Sequence, residues 1–90
     1  SHEAELEQGL ADYQRFTQQS KRMHGQRLPL AEQSLSLAYQ AYAAGSGTLA
    51  ELLAARRERA ALRFEALNLE AETLRAAAQL HFRYEGGDHD

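Results

Sequence analysis

The chain contains no valine and no isoleucine among its 90 residues. Strands favour these β-branched residues, whereas helices favour alanine, leucine, glutamate, glutamine and arginine. Alanine (17 residues) and leucine (14 residues) supply most of the apolar sequence instead. Composition therefore argues against a β domain or an α/β domain, and it predicts an all-α fold.

The composition also narrows the classes of function. Cysteine is absent, which excludes disulfides, zinc–thiolate sites and thiol catalysis. The net charge of −3 gives no general attraction to nucleic acid, so no nucleic-acid partner is expected. The sequence suggests no catalytic triad, no phosphate-binding loop and no carboxylate pair in a setting that would shift its pKa. We therefore expect neither an enzyme nor a bound cofactor.

A short turn divides the chain into two helix-favouring stretches. Gly45-Ser46-Gly47-Thr48 combines two glycines with a good helix N-cap, and Glu51 lies three residues after Thr48, as in a capping box. The sequence predicts a first helix over about 3–44, a turn over 45–48, a second helix over about 49–84 and a frayed acidic tail over 85–90. A turn this short makes the two helices an antiparallel, coiled-coil-like hairpin.

Apolar residues recur every seven positions in both helices, which is the coiled-coil signal. The first helix carries two such series: Phe16, Met23, Leu30 and Leu37, and Leu28, Leu35 and Tyr42. The second helix carries one seam and one further stripe: Leu53, Ala60, Leu67, Leu74 and His81 with Phe64, Ala71 and Ala78, and then Leu52, Leu62, Leu69, Ala76 and Leu80. Two apolar faces on one helix predict neighbours on both sides.

Pro29 is a flaw in the first helix. It has no amide hydrogen, and its ring crowds the carbonyl of Gly25, four residues earlier. The sequence predicts a kink or a break near residues 25–28. A curved helix that accommodates the bend and a true break, which would allow a three-helix bundle, are both open.

Histidines and arginines give weaker indications of a functional site. His81 and Glu85 stand at i, i+4, a spacing that can place two metal ligands on one face, and Asp88-His89-Asp90 could hold a cation loosely. Solvent-exposed histidines explain both, so no metal site is predicted. Two basic clusters are interpreted as solvated faces paired with glutamates: Arg56, Arg57, Arg59 and Arg63 on the second helix, and Arg15, Lys21, Arg22 and Arg27 on the first.

The turn and its flanks resemble a known family. The run from Ala41 to Arg56 is similar to the repeat signature of the TolC family of outer-membrane efflux channels, with its A-Y-x-x-G turn. The run from Arg27 to Leu35 resembles the "L-P-x-A-E-x-x-L" segment of the heavy-metal branch, the CzcC/CusC-like proteins, and residues 62–87 resemble its closing helix. The resemblance covers nearly the whole chain.

The resemblance implies a periplasmic hairpin of an outer-membrane channel that exports metal cations or small toxic compounds. Members are homotrimers whose long helices form a periplasmic tunnel, and whose hairpin tips dock a periplasmic adaptor that engages an inner-membrane pump. Tyr42 would be the gate or tip residue, with Gly45, Ser46, Gly47 and Thr48 forming the rest of the tip. Some members have a basic residue five positions after the tyrosine; here Gly47 stands there, so that ion pair is absent.

The resemblance implies that the chain is only the C-terminal hairpin of such a protein, because a full member has two repeats and membrane strands, whereas this chain has one hairpin and no strand-forming composition. With two apolar faces, the isolated hairpin is expected to self-associate, as in a four-helix dimer. Two other functions stay open. A periplasmic adaptor hairpin would be flanked by lipoyl-like β segments in the parent gene, and a free-standing coiled-coil oligomerisation or metal-buffer protein would use its histidines.

Overall fold

The computed structural model describes residues 1–88, and the side chains of residues 1–85. Helix α1 spans His2–Arg22, a π-helical turn spans Met23–Arg27, helix α2 spans Leu28–Ala43, and helix α3 spans Leu49–Asp88. The described residues contain no strand. The predicted all-α helical hairpin is confirmed. None of the helices in the described part of the chain has the length and hydrophobicity needed to cross a membrane.

The helices associate in two compact units. In the first unit, residues Ser1–Lys21 pack with the part of α3 that begins at Leu67. The second unit, Arg22–Ala66, contains the π-helical turn, α2, the turn between helices and the first part of α3. The buried apolar residues are few and mostly small, as an alanine-rich sequence requires: Met23, Ala31, Leu52, Leu62, Ala66 and Ala76.

The predicted flaw at Gly25–Pro29 takes the form of a π-helical turn. The backbone stays helical from His2 to Ala43, so the alternative in which the first helix breaks in two does not occur. The amide of Leu28 donates to the carbonyl of Met23, five residues earlier, in place of an α-helical bond. The wider turn accommodates a proline, because Pro29 cannot donate and its ring would crowd an α-helical carbonyl.

Of the two apolar stripes that the sequence shows on the second helix, only one faces the partner helix. On α3, the stripe with Leu52, Leu62, Leu69, Ala76 and Leu80 is buried or half-buried, and we call it the inner stripe. The first-named seam is exposed along its length, and we call it the outer stripe: Leu53, Ala60, Phe64, Leu67, Ala71, Leu74, Ala78 and His81. Both stripes have the same period, so only the position of the partner helix decides which stripe is buried.

On the first helix, too, the structure does not bury a whole seven-residue series. Met23 is buried, but Leu30 and Leu37, seven and fourteen residues later, are 63% and 58% exposed. Ala31 is buried instead, at 6% exposure, and Ala38 is half-buried. The π-helical turn explains the shift, since it inserts one residue and turns every later side chain to the next position.

Two helix ends also differ from the sequence-based bounds. Helix α2 ends at Ala43, one residue before the predicted end, and α3 continues to Asp88, four residues beyond the predicted end. Adding a residue to an existing helix costs far less than starting one, so a glycine pair need not stop it. In these last turns, the His81 Nε2 lies 3.1 Å from a carboxylate oxygen of Glu85. The rest of the predicted tail, residues 89–90, lies outside the described residues.

Ion pairs join the two helices of the second unit. Glu32 accepts from Arg63 at 2.9 Å and from Arg59 at 3.4 Å, and Arg27 donates to Glu65 at 3.2 Å. Most of these side chains are half-exposed, so each pair contributes at most about 1 kcal/mol. The pairing agrees with the interpretation of the arginines as solvated faces balanced by glutamates.

Candidate functional site at the hairpin tip

We define the tip as Tyr42, Gly45, Ser46, Gly47 and Thr48, the residues singled out from the sequence. The structure places all five in or beside the turn that joins α2 to α3. Hydrogen bonds and contacts between residues close in sequence fix the backbone conformation of this turn.

Helix α2 ends in a Schellman motif. Gly45 has a φ of +80°, a conformation that glycine adopts without steric penalty. The Gly45 amide donates to the carbonyl of Tyr42 at 3.1 Å, and the Ser46 amide donates to the carbonyl of Ala41 at 2.9 Å. These two bonds satisfy carbonyls that have no partner within the helix, and they reverse the chain within a few residues.

The carbonyl of Ala41 organises the rest of the turn. It also accepts from the Gly47 amide at 3.0 Å and from the Ser46 hydroxyl at 3.2 Å. Gly47 consequently lies against the end of α2, where an added Cβ would stand 2.9 Å from the Ala41 Cβ and 3.2 Å from the Tyr42 nitrogen. Glycine is therefore favoured at both positions, at Gly45 by its backbone conformation and at Gly47 by close approach.

Helix α3 begins with the predicted capping box. The Thr48 hydroxyl accepts from the Glu51 amide at 3.1 Å, and the Glu51 carboxylate accepts from the Thr48 amide at 3.3 Å. The amide of Leu52 donates to the Thr48 carbonyl at 3.2 Å, which completes the first turn of α3. The cap fixes the direction in which α3 leaves the turn.

Large apolar and aromatic side chains surround this turn. Tyr42 is 44% exposed, and Tyr39 and Leu49 are exposed still further. A tyrosine held this way offers an apolar ring and a hydroxyl to an approaching surface, while the small turn residues leave the backbone accessible. The geometry is suited to contact with another protein.

Metal binding has less support among the described side chains. No group of three or more histidines and carboxylates that could hold a metal ion occurs there. His81 stands beside Glu85 alone, and both are exposed. His89, in the Asp88-His89-Asp90 run, lies outside the described residues.

Sequence reasoning found the tip residues but missed how they depend on Ala41. Its carbonyl accepts three hydrogen bonds, and the only sequence signal for this is the glycine at the C′ position of a Schellman motif. The sequence analysis assigned no role to the exposed Leu49, which lies beside the tip. No protein-family model, curated protein or solved structure matches the chain.

Proposed function

We propose that this chain is a tunnel hairpin of a TolC-like outer-membrane efflux channel in a tripartite metal or drug export system. The segment would lie in the periplasm and belong to a homotrimeric parent. Its tip would dock an adaptor protein, which in turn engages an inner-membrane pump. The role is that of a passive conduit, which needs neither a catalytic residue nor a cofactor.

The observation that carries the proposal is the uncovered outer stripe of α3. Phe64 in the second unit is 66% exposed, and Leu74 in the first unit is 71% exposed. Each lies two residues from an inner-stripe residue, and each residue advances the helix by about 100°, so the two stripes point in different directions. A helix that is apolar on two faces requires neighbours on both, as a helix in a tunnel wall does. In the isolated chain, the same stripe would drive self-association.

The structure of the tip is the second observation that supports the proposed function. Its turn is held by a Schellman motif on one side and a capping box on the other, so its backbone is organised before any partner binds. A preorganised turn loses little conformational entropy on binding. Tyr42 and Leu49 would provide the apolar contacts, and the exposed Gly45 would allow close approach of an adaptor hairpin.

The proposal can be tested with purified hairpins of periplasmic adaptors, one from a metal-export system and one from a drug-export system. Binding to this chain is measured by calorimetry with Tyr42→Ala and Gly45→Asn. Asparagine tolerates positive φ, so this second change adds bulk at the tip without straining the turn. Tyr84→Ala is the matched control, because Tyr84 is also an exposed tyrosine but lies in the first unit.

We expect at least one adaptor hairpin to bind, and we expect Tyr42→Ala and Gly45→Asn to weaken binding at least about tenfold, the scale of a modest interface contact. Tyr84→Ala should leave it unchanged. If neither adaptor hairpin binds, or if Tyr42→Ala behaves like Tyr84→Ala, the tip assignment loses its basis.

A further inference from the structure

The π-helical turn creates a choice between two faces of α2. In the observed register, Leu28 and Leu35 are half-buried and Ala31 is buried against α3. A continuous α-helix beyond Met23 would instead direct Leu30 and Leu37 inward, because they follow Met23 by seven and fourteen residues. The two faces therefore carry the same number of leucines.

Exchanging these faces would turn Glu32 away from Arg63 and Arg59, with which it now pairs at 2.9 Å and 3.4 Å. An uninterrupted α-helix would turn Arg27 and Ser34 towards α3 and separate Arg27 from Glu65, which it now meets at 3.2 Å. Most side chains in these three ion pairs are about half-exposed, so the pairs contribute little to the choice of register. The remaining determinant of the register is Pro29, which disfavours an α-helical turn around Gly25.

We propose that the π-helical turn is a register selector, which Pro29 holds in place so that α2 presents Leu30 and Leu37 outward to a neighbouring helix. Release of the turn rotates α2 by about 100° and advances it by about 1.5 Å towards the tip, the geometry of one helical residue. The leucine pairs then exchange, with Leu28 and Leu35 outward. The two registers are alternative packings of one sequence on the same partner helix.

The experiment uses thiol labelling, since the chain has no cysteine of its own. Leu30→Cys and Ala31→Cys are made singly, each in the wild-type background and in Pro29→Ala. In the wild-type background, we expect the thiol of Leu30→Cys to react at least about tenfold faster than that of Ala31→Cys, as an exposed site does relative to one that reacts through local opening. In Pro29→Ala the order should reverse.

Two controls isolate the register. Gly25→Ala lies in the same turn, and its added methyl meets nothing within 4 Å, so the wild-type order should persist. Pro29→Ala combined with deletion of Gly25 removes both the proline and the extra residue, so a continuous helix again buries position 31 and the wild-type order should return. Ala66→Cys, at a site 4% exposed on α3, reports that the hairpin is intact in each background.

An unchanged order in Pro29→Ala, with the thiol of Ala66→Cys still protected, would overturn the proposal. If the thiol of Ala66→Cys becomes reactive in Pro29→Ala, that variant has lost its fold, and Pro29→Ala with deletion of Gly25 provides the test instead. In that background, faster labelling of Ala31→Cys than of Leu30→Cys would overturn the proposal. Faster labelling of Leu30→Cys, as in the wild type, would support it. The labelling needs no adaptor, so its failure would leave the proposed channel function untouched.

Discussion

Replacing Gly47 with alanine should destabilise the hairpin through the tip. The new methyl would lie 2.9 Å from the Ala41 Cβ and 3.2 Å from both the Ala41 carbonyl carbon and the Tyr42 nitrogen. Two of these three atoms are backbone, so no side-chain rotation can relieve the crowding. The turn itself must move away from the end of α2.

The size of the effect follows from what that movement disturbs. Overpacking a well-packed site costs about 1–3 kcal/mol. Moving the turn also weakens the bonds that the Ala41 carbonyl accepts from the Ser46 and Gly47 amides, each worth about 0.5–1.5 kcal/mol. We expect a loss of about 2 kcal/mol in the free energy of unfolding, the middle of the overpacking range. At roughly 4–8 °C per kcal/mol, Tm falls by about 8–16 °C.

The assay is thermal and urea unfolding followed by circular dichroism, at several protein concentrations because self-association would raise Tm. Asparagine substitutions separate the two glycines. Gly45→Ala places a methyl-bearing residue at a φ of +80° and should cost about 1–2 kcal/mol, whereas Gly45→Asn should recover much of that loss. Gly47→Asn should be no better than Gly47→Ala, because any Cβ meets the same atoms.

A wild-type unfolding midpoint for Gly47→Ala would contradict the predicted crowding. Rescue of stability by Gly47→Asn, as by Gly45→Asn, would also contradict it, since the requirement at residue 47 would then be conformational. In either case the close approach between Gly47 and Ala41 would not constrain the turn.

Two further predictions concern the cap and the leucines of α3. Thr48→Ala removes the hydroxyl that accepts from the Glu51 amide, and should lower the free energy of unfolding by about 1 kcal/mol; an unchanged urea midpoint would show that the cap is dispensable. The outer-stripe double variant Leu67→Glu, Leu74→Glu should keep its helicity, and its mass from sedimentation should fall to that of one chain. The inner-stripe variant Leu62→Ala should instead lower the free energy of unfolding by about 2–5 kcal/mol. Equal losses of helicity in the two variants would contradict the division into inner and outer stripes.

The turn could be predicted from sequence because its determinants are local. The cap joins Thr48 and Glu51, three residues apart, and the Schellman bonds span at most five residues. Glycine at position 45 and threonine at position 48 are the residue types that these motifs favour, so both motifs can be predicted from the sequence. The predicted tip is therefore the part of the candidate site that the structure places as expected, whereas its role in docking stays a prediction.

The packing faces could not be predicted in the same way. Leu53 and Leu52 belong to stripes of equal period on one helix, and periodicity carries no information about which stripe meets the partner. On the first helix, the heptad from Met23 points to Leu30, yet the structure buries Ala31. The proline that causes this shift was visible in the sequence, but the sequence left both a bend and a break open.

Composition and local turn chemistry thus determined on their own that the chain is helical, that it reverses at residues 45–48, and that it has more apolar faces than one hairpin can cover. Tertiary structure decided which face each helix turns inward. The reason is that helix formation and capping depend on bonds within one turn of the chain, whereas the choice of face depends on a partner helix and on the single residue that the π-helical turn inserts.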